Sequence, residues 1–567
     1  GLEAQRKEVC KGLSAALARC TDDANRAFLL SQLQLCATAD TADTIAGYFD
    51  DPYLSDPALR ALTSIAGSEA VLLKLAKRSD ITQEQKAALA CALGEKEMAE
   101  AEQLLLGWLP EADETTRAAI YAALGSCGSA ASLKRLAAAA RSAGFIDDKT
   151  AATDSYLRLL NRLVDQKAPR EAIKAARKLL GCKVSNVRGA ALQILLRAQG
   201  TEALPYVLKA LQTEDIQYRN AALRYVGELA DDDVYATIAA ERSHLSDEAW
   251  ADVIEWFGVR HAASQIEAVT EAVASPNDRL ALAGIHAAGR LGGDKALAAL
   301  IAALGGRHAE PAAQALLTFN GKIDDGVVEA LDGEGTMPVQ ALHLAAARRI
   351  TAVSDKVFAL LDASDPDVAA AAYRALPSVT APDDIDRLSE RIDRSDDTQA
   401  EALRAALMHA VQPLAPDKQY EIIAARMNAS EHPERYYPVL AQGGTQRAID
   451  CLLENFAGRH AEKAFAALLL IDNPQMIGVL RSLAEQHPEL ADRALARYTD
   501  CVAALDATPV RKYQLYSEAL ALNPSARIVN RILQKLADIH EIPALLLAGC
   551  YLDNPETART AAAAVKT

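Results

Sequence analysis

The sequence predicts an all-α protein of the α/α superhelix class, a solenoid of about seventeen short helical hairpins. Three observations carry that expectation. A nine-residue apolar segment recurs with a 31-residue period, half of the residues are apolar although only 5% are aromatic, and apolar runs with the period of two that a half-buried strand needs are scarce. A core of alanine and leucine suits close-packed helices, because both are strong helix formers.

The repeat is clearest in mid-chain. Arg188–Leu196 (RGAALQILL), Arg219–Gly227 (RNAALRYVG), Trp250–Gly258 (WADVIEWFG) and Ala281–Gly289 (ALAGIHAAG) begin 31 residues apart, and Ala312–Asn320 (AAQALLTFN) continues the frame. Lys86–Gly94 and Arg117–Gly125 keep the same interval earlier, as do Ala369–Pro377 and Ala400–Met408 later. Val187, Ala191, Leu192 and Leu195 form one apolar stripe, with Gln193 left outside it. The ninth residue is usually glycine, and asparagine at Asn320, which predicts a left-handed backbone angle closing the helix there. A second apolar helix follows each unit, as at Ala203–Gln212, and then a polar loop. Pairs such as Asp365-Pro366 and Asn473-Pro474 place capping residues and prolines at helix starts.

Two places depart from the period. The interval from Arg117 to Arg188 is too long for two units, and the surplus is assigned to a longer loop near Ser142–Thr153. From Met427 onward the spacing is irregular. The organisation expected is a regular solenoid over 1–425, followed over 426–567 by divergent, partly capping repeats that continue the superhelix or form a separate helical subdomain.

Charge and composition exclude several functions. A net charge of -16 repels phosphate backbones and anionic headgroups, so nucleic acid is not an expected partner. No apolar stretch is long enough for a membrane span, so membrane insertion is not expected. Nine scattered cysteines, without CxxC or a Cys/His cluster, read as buried structural thiols rather than a disulfide framework or zinc site. The start at Gly1 reads as a trimmed or mature N-terminus.

Ser364–Leu376 (SDPDVAAAAYRAL), Ser185–Leu196 and Ile216–Gly227 resemble the short HEAT-like repeats of the phycobilisome-lyase type, whose pattern runs D-P-x-V-R-x-A-A-x-x-A-L-G; weaker matches extend over most of residues 20–425. Ala27–Pro57 is also similar to exported HEAT-repeat proteins of Bacteroides-type bacteria. That second resemblance implies a periplasmic or envelope location, with the cytoplasm as the alternative. The tetratricopeptide and ankyrin signatures are missing.

No catalytic constellation accompanies the repeat. GRHAE occurs at Gly306–Glu310 and Gly458–Glu462, which would make His308 and His460 ligands or bases; each copy precedes an apolar helix and reads as turn and cap chemistry. Acidic pairs such as Asp231-Asp232 and Asp396-Asp397 lack the alternating oxygens of a calcium loop and read as helix caps. The chain is therefore expected to be neither an enzyme nor a cofactor protein. Arg117, Arg188 and Arg219, each opening a helix of the repeat, read as members of an Asp/Arg ladder between repeats.

The candidate binding residues come from a local enrichment in aromatics between Tyr206 and Phe257. Trp250 stands where the preceding repeats have arginine, which predicts an exposed anchor, with Arg219 and Arg224 in the preceding unit, Glu255 in the same segment and His286 in the following one as the other binding candidates. Two functions follow as expectations. One is a non-catalytic scaffold, acting as a monomer, that binds a protein or peptide along its curved surface. The other is an accessory module for a ligand or carbohydrate, beside a sugar-active domain of a larger exported protein.

Overall fold

A computed structural model describes residues 2–566. Regular structure among them is helical throughout, without a strand, and the fold class is the α/α superhelix that the repeat predicts. The chain forms two compact units, Gly1–Ala296 and Leu297–Thr567.

In the first unit, each hairpin contributes one helix to each of two layers. The first-layer helices Ser185–Gln199, Ile216–Val226, Asp247–Val259 and Asp278–Leu291 pack on one another in order, and Leu204–Leu211, Asp232–Ala239 and Ile266–Val273 alternate with them in the second layer. Helix starts are set by local chemistry. Asp215 accepts from the Tyr218 amide at 3.1 Å, Asp231 from Val234 at 2.9 Å, and Asn277 from Leu280 at 3.1 Å. The expected stripe of Val187, Ala191, Leu192 and Leu195 is buried, and Gln193 lies at its edge.

The repeat glycine has a different role from the one its position suggests. Gly94, Gly125, Gly227 and Gly258 do not take a left-handed angle. Three of them mark close approaches instead: a Cβ at Gly94 would stand 2.7 Å from Ala123 Cα, one at Gly258 would stand 2.6 Å from Ala287 Cα, and one at Gly125 would meet Ser155 O at 2.9 Å. Each of these contacts is made with the next first-layer helix, so the glycine sets interhelical spacing. The left-handed position falls three residues later, at Glu97 (φ 52°) and His261 (φ 52°), where the next amide reaches back into the helix: Met98 N to Leu93 O and Ala262 N to Phe257 O, both at 3.0 Å. That is a Schellman closure built with non-glycine residues. Asn320 likewise has no positive φ.

The surplus between Arg117 and Arg188 lies where the spacing places it. Helix Leu133–Ser142 is followed by residues 143–151 without regular structure before helix Ala152–Asp165, and Gly144, Phe145 and Ala151 turn the chain with positive φ. All nine cysteines are free thiols; Cys10, Cys127 and Cys501 are buried as expected, whereas Cys91, on a helix, and Cys550, just after one, are exposed.

The second unit repeats the hairpin construction, with Met337–Arg348, Pro366–Val379 and Asp397–Val411 packed in order. Where the spacing breaks, polar side chains are buried. Arg435 donates to Ile392 O at 2.6 Å and Ser395 O at 3.1 Å, the Tyr436 hydroxyl lies 3.0 Å from Asp393, and Tyr437 donates to Asn455 at 2.9 Å. Burial, reinforced by Asp393, pushes the Tyr436 phenol well above its ordinary range. The two GRHAE segments have the same backbone. His308 and His460 each precede a helix with similar angles, and neither side chain caps it.

Candidate functional site

The first-layer helices between Ser185 and Leu291 carry the residues that the sequence singles out. Because the repeat is 31 residues, side chains at equivalent positions fall into files across successive helices. Gln193, Arg224, Glu255 and His286 form one such file, flanked by Asn186, Gln217, Glu248 and Arg279 on one side and Arg197, Glu228, Val259 and Arg290 on the other; all twelve side chains are half-buried or exposed. Three of the five candidate residues, Arg224, Glu255 and His286, therefore share one surface. Val259 is 57% exposed in the midst of these polar groups. His286 has no hydrogen-bond or ion-pair partner among the described residues, and Arg224 engages its neighbour Tyr225, donating to the hydroxyl at 2.5 Å with its guanidinium 4.6 Å from the ring centroid.

Trp250 does not join them. It is 5% exposed, against the expectation of an exposed anchor. The column it occupies is an interhelical one. Arg188 and Arg219, its equivalents in the two preceding repeats, are themselves largely covered and neutralised by carboxylates, and Ala281 in the next repeat is fully buried. Trp250 fills this column by packing edge-on to Phe257, with ring centroids 6.1 Å apart, while the Arg242 guanidinium lies 5.6 Å from its ring. Tyr235, Trp256 and Phe257 complete this aromatic cluster.

Arg219 is also inside. Its Nε donates to Asp252 at 2.8 Å and its Nη1 to Thr213 O at 2.9 Å. Asp252 in turn accepts from Arg279 at 3.0 Å, and Arg279 reaches Glu255 at 2.6 Å. The chain Arg219, Asp252, Arg279, Glu255 thus links three successive first-layer helices. Hydrogen bonding to Glu255 raises the Arg279 guanidinium pKa further. One repeat earlier, Arg188 pairs with Asp215, which also accepts from Ser185. Burial raises the Asp215 carboxyl, but Ser185, the Tyr218 amide and Arg188 outweigh it and hold it below the usual range. The Asp/Arg ladder that the sequence suggests is present at Arg188 and Arg219. Arg117 instead donates to Ala112 O at 2.7 Å.

Sequence reasoning did not identify Asp252 as part of this arrangement. The signal was available: Asp252 stands in a column that holds Ala190, Ala221 and Ala283 in the neighbouring repeats, and a carboxylate among alanines requires a buried partner. Among the described residues no group of histidine, cysteine and carboxylate side chains could hold a metal ion, and no helix is long and apolar enough to cross a membrane.

No protein-family model and no curated protein matches the chain. Solved structures of similar build include Kap121p bound to Nup53p, at 12% identity over 99% of this chain and 74% of that chain, with a TM-score of 0.39. Others are Kap95p in complex with RanGDP, at 12% identity over 99% of this chain and 87% of that one (TM-score 0.35), and importin beta, at 12% over 98% and 86% (TM-score 0.31). Likeness of this degree says nothing of what this chain binds.

Proposed function

We propose that the chain is a non-catalytic scaffold that holds a protein or peptide segment against the first-layer helices between Ser185 and Leu291. One observation carries this reading: three parallel files of accessible side chains, kept in register by the repeat, with four arginines against three glutamates on a chain whose net charge is -16. The buried ion pairs beneath hold successive helices in place, so the files are presented by a rigid support. Arg224, Glu255 and His286 remain binding candidates, with Arg290 and Val259 added. Trp250 and Arg219 act through the support. An exposed apolar residue among charges of both signs suits a polypeptide of mixed sequence, and the local excess of arginine favours one with acidic residues.

The test is affinity capture from the native cell extract with wild-type protein and an Arg224→Glu/Arg290→Glu variant in parallel. Both side chains are exposed, so the variant should keep its helicity and melting profile. A partner enriched by the wild type and lost by the variant supports the scaffold reading. Equal recovery with both proteins, or no enrichment with either, removes it.

A further inference from the structure

A recess lies outside these files, in the same unit, where the long loop follows helix Leu133–Ser142. It is a cleft of about 550 Å³. Its apolar lining comes from Leu106, Leu109 and Pro110 of one hairpin and Ala138 and Ala139 of the next. Its polar groups come from three segments. Arg117 and Tyr121 are four residues apart on helix Glu114–Cys127 and so share a face; Arg135 lies on the same face of its helix as the two lining alanines; Asp148 and Thr150 come from the loop.

The polar groups of this cleft are unequally engaged. Asp148 is occupied in closing the loop, accepting from the Thr150 amide at 3.0 Å and from its hydroxyl at 2.9 Å. Arg135 makes no hydrogen bond or ion pair among the described residues, and neither does the Tyr121 hydroxyl. Burial raises the Tyr121 phenol against the pull of Arg117 and Arg135, so it is a hydrogen-bond donor at neutral pH. Another cleft of similar size, about 560 Å³ in the second unit, makes a useful contrast. There Asp383, Asp386 and Glu421 line the walls and Arg426 is already paired with Asp386. In the first cleft two guanidinium groups and a phenol face one carboxylate that is already satisfied locally; Arg117 commits one Nη to Ala112 O at 2.7 Å and keeps its other donors.

We propose that this cleft binds a carboxylate carried on an apolar stem: Arg117 and Arg135 take the carboxylate, Tyr121 donates a third hydrogen bond, and Leu106, Leu109, Pro110 and Ala138 cover the stem. Guanidinium groups suit this task because their N–H geometry matches a carboxylate and their charge survives partial burial. The same chemistry is offered by a free organic acid and by the C-terminal residue of a peptide, since the cleft is open to solvent and leaves room for a chain to continue outward. This site is independent of the arginine-bearing files between Ser185 and Leu291, so failure of one proposal leaves the other standing.

The experiment is calorimetric titration of the full chain with 4-phenylbutyrate and with N-acetyl-phenylalanine, each compared with its primary amide. At least one acid should saturate with a Kd below about 1 mM, and its amide should bind about tenfold more weakly or worse. Arg135→Gln, at an exposed side chain with no partner to lose, should weaken the acid about tenfold at an unchanged melting temperature. Binding of both acids assigns the site to small acids, and binding of N-acetyl-phenylalanine alone assigns it to peptide ends; either result upholds the carboxylate site. Absence of saturable binding by both acids, equal binding of acid and amide, or wild-type affinity in Arg135→Gln would overturn it.

Discussion

Gly258→Ala tests the close approach on which the regular part of the stack depends. In an exposed helical position this substitution stabilises by about 1 kcal/mol, because alanine loses less backbone freedom than glycine. Here the new Cβ would stand 2.6 Å from Ala287 Cα and 2.8 Å from Ala287 Cβ. Carbon atoms rest about 3.5–4.0 Å apart, so the Asp278–Leu291 helix would have to retreat by roughly 1 Å. No rotamer change can relieve the contact, since the nearest obstructing atom is backbone. Overpacking of this kind costs about 1–3 kcal/mol, and retreat also loosens Ile254, Phe257 and Ile285, which are fully buried near this interface. After the gain in helix propensity is subtracted, the net effect should be a destabilisation of up to about 2 kcal/mol. Gly107→Ala is the control: that glycine lies in helix Glu102–Trp108 with nothing within 4 Å of the added carbon, so it should stabilise by about 0.5–1 kcal/mol. Repeat arrays do not always unfold in one step, so hydrogen exchange resolved by segment is the suitable assay. Exchange should accelerate over 247–291 in Gly258→Ala and slow over 102–127 in Gly107→Ala. Unchanged or increased protection at 247–291 would refute the close-packing account.

Two further outcomes follow from the buried ion pairs. Asp252→Ala should destabilise by about 3–5 kcal/mol, because it strands the Arg219 guanidinium, whose side chain is only 6% exposed; Arg219→Met/Asp252→Ala should recover most of that loss, and a double variant as unstable as the single one would contradict it. Acid should weaken the first unit through Asp215, whose carboxyl is held below its unfolded value near 3.9. Its contribution is complete above that value and is lost as pH falls through the depressed folded one, so Asp215→Asn should flatten the decline in stability below about pH 4 measured by denaturant titration. An identical decline in the variant would show that Asp215 does not contribute.

The cleft beside the long loop shows how far spacing alone can reach. The surplus between Arg117 and Arg188 located the loop, because a repeat that fixes hairpin length exposes any insertion. It gave no indication that Arg117, Tyr121 and Arg135 converge there, since they come from helices whose mutual packing is not written in any one segment. Asp252 lies between these cases: its column of alanines flagged a buried charge, but the geometry that pairs it with both Arg219 and Arg279 depends on three helices at once.

By itself, the sequence determined the fold class, the hairpin period, the apolar columns and the caps. All of these are local or strictly periodic, so they follow from helix geometry and from side chains a few residues apart. Only the tertiary structure decided the fate of individual positions. Trp250 stands where the repeat has arginine, and arginine reads as surface until Asp215 and Asp252 are seen covering that column. The repeat glycine reads as a helix end until the next first-layer helix is seen against it. In both cases the deciding contact comes from the neighbouring repeat, about 30 residues away, and burial is a property of that neighbour as much as of the residue itself.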